Sequence, residues 1–405
     1  MSQTHTQHTP AVPDNPAAGP LAGKRVAHQP NWSVRGHLCS AGCRALEGYR
    51  ALEDATLIAR LQTAGAVLAN PAAMAELGFG LHGDTTVQPV AQGAADLALV
   101  NDTLGEARVA AAAHGMFGFK PSYGRVSRCG MIDLVPSMAC PGFIAAGPQA
   151  ILDALAAVAG PDPADVAMPD DCREIPFDAR PSDTDPLQNA GVIIQSLASL
   201  DGTARRAFEA ALARLAAAGV AVQEIDLPDY PLFRDTHQVI AAVEASSSAG
   251  KFDGVRYGYR APTAKHWNEM YLETRKSAFG PLLKALLFQG AYLQFDNYAA
   301  FEQAARLRRR LVDALAGHLK KVDLLVMPTR NPATDAATAT TIAAIYDAFA
   351  YTLPANLAGL PALHLPGPQT TDAQDPGLQL IGRRLDDTRL LALGVRMADF
   401  EKEGR

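Results

Sequence analysis

Residues 97 to 128 read LALVNDTLGEARVAAAAHGMFGFKPSYGRVSR. The stretch opens on an apolar run, Leu97 to Val100, that has the length and composition of a short buried strand. Asn101 to Gly105 is turn chemistry. Ala107 to Ala113 is a run of small residues with high helix propensity, and Gly115 follows as its C-terminal stop. A strand, a tight turn and a small-residue helix bring backbone N–H groups together at the strand's end. That is an arrangement suited to holding an oxyanion, and the turn Thr103, Leu104 and Gly105 would supply it. Glu106 is the side chain that stands at this spot.

The same residues carry a resemblance. Asp102-Thr103, Gly105, Arg108 two positions beyond Glu106, and the run Phe119-Lys120-Pro121-Ser122-Tyr123-Gly124-Arg125-Val126-Ser127-Arg128 resemble the core of the amidase signature family. The likeness is strongest to the A subunit of glutamyl-tRNA(Gln) amidotransferase. It implies an α/β fold and a serine, a cis-peptide serine and a lysine as catalytic triad. Carried over by spacing, the nucleophilic serine falls on Glu106, the bridging serine on His82 and the lysine on Gln29. A glutamine cannot relay protons as an amine can. His28 beside it is the one local substitute.

Working outward, Leu21 to Pro30 resembles the family's first core strand. Asp54 to Gly65 is an amphipathic helix, with Asp54 as cap, Leu57, Ile58 and Leu61 on one face and Gly65 as stop. Ala66 to Ala69 reads as a strand. The segment before Gly80-Leu81-His82-Gly83-Asp84 is shorter than the family's Gly/Ser-rich segment. His37, Cys39 and Cys43 have no second pair at a zinc-site spacing, so no metal is expected. No cofactor is expected either.

Beyond the central stretch, Met131 to Ala146 matches the family's pocket mouth and places Cys140 there. A cysteine needs a depressed pKa to react. Pro148 to Gly160 and Thr203 to Gly219 read as helices, and Gly191 to Ile194 and Val220 to Ile225 as strands. This alternation predicts an α/β sheet with crossover helices. The phrase Asp253 to Arg260 resembles the same amidotransferase chain. From it the resemblance assigns Tyr259 and, in the helix Tyr298 to Leu319, Arg308 to the substrate. An arginine fork suits a carboxylate, while Arg306, Arg309 and Arg310 alongside also suit a solvated helix face. The family's acidic residue for the substrate's amino group falls on Phe349, which implies a more apolar pocket.

The 405 residues are 48% hydrophobic and carry a net charge of -6, an ordinary globular composition with no basic footprint for nucleic acid. Five scattered cysteines give no disulfide framework and fit a cytoplasmic setting. No apolar run is long enough to span a membrane. Residues 1 to 20 are polar and Pro-rich, lack the apolar core of a secretory signal, and read as a disordered tail. Residues 21 to 405 read as a single domain, α/β, with a mixed, mostly parallel sheet and helices on both faces.

Because none of the three triad positions carries the family's group, the sequence alone favours a divergent protein. It would be an enzyme repurposed to use Glu106 with His82 as an acid/base pair on a small carboxylate or amide. The other reading is an inactive pseudo-amidase that serves as a binding or regulatory partner. The expected assemblies are a homodimer or a complex with a small partner subunit.

Overall fold

The computed structural model describes residues 19–178, 186–367 and 375–403. Almost all of the expected N-terminal tail therefore lies outside the described residues. Ten strands form one sheet: β1 (Arg25–His28), β2 (Val67–Leu68), β3 (Leu97–Asp102), β4 (Phe117–Lys120), β5 (Cys140–Ala145), β6 (Asn189–Ile193), β7 (Ala221–Ile225), β8 (Leu324–Pro328), β9 (Ala362–Leu365) and β10 (Leu378–Gly382). Their order across the sheet is β2-β1-β3-β5-β4-β9-β10-β8-β6-β7.

The sheet is mixed, as expected, but its parallel share is smaller than the alternation of strands and helices suggested. The parallel pairs are β1 with β2 and β3, and β6 with β7 and β8. They form the two flanks. The five central pairings are antiparallel. The reason lies in the central stretch itself. β3, the helix Glu106–Ala113 and β4 make a crossover unit, but β5 is inserted between its two strands and runs against both. β9 and β10 continue the alternation across the middle.

Both faces of the sheet are covered. Ala98 and Val100 of β3 belong to the core on one side, and Leu97 and Leu99 to the core on the other. Alternation along a strand that is buried at every position requires this. The helix expected from Asp54 begins later, at Thr56, with Ala55 as its N-cap. Asp54 instead accepts a hydrogen bond from the Arg35 backbone N–H at 2.8 Å, so its carboxylate is engaged elsewhere. Among the described residues, no helix is long and apolar enough to cross a membrane.

The consequence for function is local. β1 and β3 are parallel neighbours, so Gln29 and Asp102 leave the sheet at the same edge. The turn after β3 emerges there between them.

Candidate functional site

β3 delivers Asp102 to the sheet edge, and the chain then turns sharply through Thr103, Leu104 and Gly105 into the helix Glu106–Ala113. Gly105 has φ of 119°, a conformation that side chains rarely adopt. A Cβ there would also collide with Thr352. The turn is thus fixed by a residue no other type replaces cheaply.

Its N–H groups converge on one atom. Oε2 of Glu106 accepts from Thr103 at 2.7 Å, Leu104 at 2.7 Å and Gly105 at 3.0 Å. Oε1 accepts from the Gly80 N–H at 3.2 Å. The carboxylate is buried, and burial together with the nearby Asp102 pushes its pKa up to about 8, against the pull of the N–H donors on the charged form. Four donors aimed at one group make an anion nest, and in this structure its occupant is the chain's own side chain.

A closed polar network holds the turn from below. Asp102 pairs with Arg108 at 3.2 Å, with both side chains fully buried. Asp102 also accepts from the Ala107 N–H at 3.1 Å and from Asn356 Nδ2 at 2.7 Å. Arg108 donates to the Asn356 and Gln379 side-chain oxygens and to the Thr352 carbonyl. Thr352 Oγ1 donates to the Leu104 carbonyl at 2.5 Å. A buried ion pair needs most of its remaining donors and acceptors met; here both terminal nitrogens of Arg108 are engaged, while its Nε has no hydrogen-bond partner.

On the turn's other side, His237 sits with Nε2 3.1 Å from the Thr103 carbonyl and Nδ1 3.1 Å from the Tyr346 hydroxyl. Burial lowers its pKa to about 4, so the ring is neutral near pH 7. Sequence reasoning did not find His237, Tyr346, Asn356 or Gln379. Asn356 and Gln379 lie in stretches that resemble the family, Leu353 to Ala362 and Gly377 to Gly382, but read there as core packing; His237 and Tyr346 lie in no motif, and each of the four reaches the turn from a distant element.

The residues singled out from the sequence separate into groups. Gln29 braces the edge: its Oε1 accepts from the Asn101 N–H at 2.6 Å and its Nε2 donates to Asp84 at 2.5 Å. His28 is buried, and burial and His37 lower its pKa to about 4. His82 is exposed on a groove lined by Glu76, Phe79 and Leu282, and no hydrogen bond joins it to Glu106 among the described residues. Cys140 lies opposite Asp102 across the β3–β5 pairing. Burial pushes its thiol up to about 11, which keeps it un-ionised near neutrality.

Arg308 is half-buried. It donates to the Leu357 carbonyl at 2.9 Å and to Ser137 Oγ and the Ser137 carbonyl at 2.7 and 2.9 Å. The Glu244 carboxylate acts on its charge while accepting from the Ser137 N–H, and no carboxylate hydrogen-bonds to Arg308 directly among the described residues. Tyr259 is stacked beneath the Arg44 guanidinium, 4.1 Å from ring centroid to cation. Phe349 is buried and accepts from Thr352 Oγ1 through its carbonyl at 2.8 Å. Among the described residues, no group of three His, Cys, Asp or Glu side chains is placed to hold a metal.

The family model described as "Amidase" matches residues 2–89 and 88–391. The chain belongs to the amidase signature family. It is 33% identical over 412 residues to the A subunit of glutamyl-tRNA(Gln) amidotransferase from Haloarcula marismortui, covering 94% of this chain and 96% of that protein. The solved structure of the Thermotoga maritima counterpart superposes with a TM-score of 0.73 at 25% identity, covering 92% of this chain and 82% of that one. The peptide amidase of Stenotrophomonas maltophilia shares the fold, with a TM-score of 0.73 at 23% identity over 95% of this chain and 84% of that one.

These relatives correct the functional expectation from the sequence alone. That expectation rested on three single positions and set the protein apart from its family, as a repurposed acid/base enzyme or a pseudo-amidase. Identity at about a third of positions along nearly the whole of both chains supports the family's amidase function instead.

Proposed function

We propose that the protein hydrolyses a carboxamide at the turn Thr103–Gly105, water adding to the carbonyl carbon as the C–N bond breaks and ammonia leaves, on a small substrate that also carries a carboxylate. The observation that carries the reading is the convergence of the Thr103, Leu104 and Gly105 N–H groups on one oxygen. The same donors suit an amide carbonyl oxygen as it gains negative charge, because they are fixed in advance and stand in a dry site. Arg308, with spare donors and no hydrogen-bonded carboxylate of its own, suits the substrate's carboxylate.

A substrate takes the nest only when Glu106 gives it up. Its raised pKa favours that exchange, since a protonated carboxyl holds N–H donors more weakly than a carboxylate. The relatives named as one chain of an amidotransferase support a second, different protein chain as an expected partner. The test is therefore run on the tagged chain with whatever it retains on isolation, and on the chain alone. Ammonia release is measured with glutamine, asparagine, ureido acids and neutral aliphatic amides. Turnover that favours the carboxylate-bearing amides is expected. Absence of ammonia from every substrate in both preparations would overturn the proposal.

A further inference from the structure

The helix Pro281–Phe295 packs one face inward and leaves the other bare. Inward, Leu283, Leu286, Leu287 and Leu293 are buried. Gly290 lies so close to the helix Leu232–Ser248 that a Cβ would overlap the Ala242 carbonyl. Outward, Phe288 is 75% exposed, Tyr292 55% and Phe295 83%. Single exposed apolar residues need no explanation, but three large rings in a row on one helix do.

Lys284, Phe288, Tyr292 and Asp296 form one i, i+4 ridge along this face. Asp296 extends the ridge because its backbone keeps helical angles. The row is symmetric about its midpoint: a ring stands on either side, then a cation at one end and an anion at the other. Laid antiparallel against itself across a two-fold axis, it places Phe288 against Tyr292 of a second copy and Lys284 against Asp296 of that copy. The next positions out, Ala285 and Phe295, also meet each other.

Asp296 stands at the C-terminal end, where the helix dipole disfavours an acid, whereas Lys284 near the N-terminus is balanced by the Glu76 carboxylate that accepts from the Gly280 N–H. Lys284 Nζ donates to the Lys276 carbonyl at 2.6 Å, which uses one of its three donors. Asp296 has no ion-pair partner among the described residues. Helix stability does not account for Asp296, whereas an antiparallel partner does.

We infer that this ridge is a self-complementary interface at which two copies of the chain pair through the helix Pro281–Phe295. An isologous contact of this kind is the usual way a homodimer closes, and aromatic rings at its centre with charges at its rim match the anatomy of specific interfaces. The inference is independent of the chemistry proposed above.

Sedimentation equilibrium over a concentration series tests it. A dimer is expected, and Phe288→Asp should weaken it by about tenfold or more, the usual loss at a central aromatic anchor. Because Phe288 is exposed, the fold should be unchanged, and circular dichroism checks that. The sharper arm is the charge exchange. Lys284→Glu alone should weaken the dimer, and Lys284→Glu with Asp296→Lys should restore it. A wild-type chain that stays monomeric up to about 100 µM, well above the range of specific interfaces, would overturn the inference. So would a dimer indifferent to Phe288→Asp, or a double exchange that fails to recover.

Discussion

The two approaches to the anion nest are built differently. From below, Asp102, Arg108, Asn356 and Gln379 form a dry network around one ion pair. From above, the segment around His82 lies at the surface along an open groove, and it touches the nest through the Gly80 backbone N–H. The lower region is fixed by polar side chains that cannot be left unpaired. The upper one meets the nest through backbone: Phe79 and Leu81 anchor the segment in the core, while His82 itself stays in solvent. The contrast teaches that the turn's geometry is set by what lies beneath it, while the rim is free to vary in length and in residue type.

The largest test of that contrast is Arg108→Ala. It leaves Asp102 buried without its counter-ion, and breaking a buried pair from one side costs about 3–5 kcal/mol. Chemical denaturation should show a loss of that size. A loss near zero would mean that the network does not hold the turn.

Next comes the occupant of the nest. The folded-state pKa of Glu106 is raised from 4.5 to about 8. The folded protein therefore keeps a proton that the unfolded chain has released. Its stabilising contribution is full below about pH 4.5 and is lost as pH rises through about 8. Glu106→Gln should flatten that part of the stability profile measured by thermal melting. An unchanged slope would place the carboxyl outside the raised range.

The histidines act in the opposite direction. His28 and His237 are lowered to about 4, and His364 to about 3. Their contribution is present above the unfolded value of 6.5 and is lost as pH falls through those folded values. His237→Phe should shallow the acid limb of the same profile.

The smallest effect belongs to the rim. His82→Ala should change stability by no more than about 0.5 kcal/mol, as exposed substitutions do. A large loss would show that the upper region is as tightly built as the lower one.

The scaffold was legible in the sequence wherever a single local pattern decided it. Leu97 to Val100, the small-residue run and Gly115 encode the strand, turn and helix, and Tyr298–Leu319 has the predicted bounds. The direction of the central strands was not legible, because β5 pairs between β3 and β4 through contacts that no local period records. The site was legible only along one segment. Glu106 and the turn are adjacent in the chain and could be paired by reading it. His237 meets Thr103 across 134 residues of chain, and Tyr346 meets His237 across 109. Nothing in their neighbourhoods marks them. His82 was paired with Glu106 by family spacing. Spacing along the chain does not report that His82 turns outward into solvent while Gly80, two residues earlier, reaches Glu106.

The account's central claim is that the nest and Arg308 together serve a carboxylate-bearing amide. The most direct measurement is steady-state ammonia release from glutamine and from a neutral amide of similar length, with the wild-type chain and with Arg308→Ala. The account predicts turnover by the wild type that favours glutamine. It also predicts that Arg308→Ala raises KM for glutamine by about tenfold or more, the scale of a lost charge-assisted hydrogen bond, with little effect on the neutral amide. Equal losses on both substrates, or no ammonia from either, would contradict it.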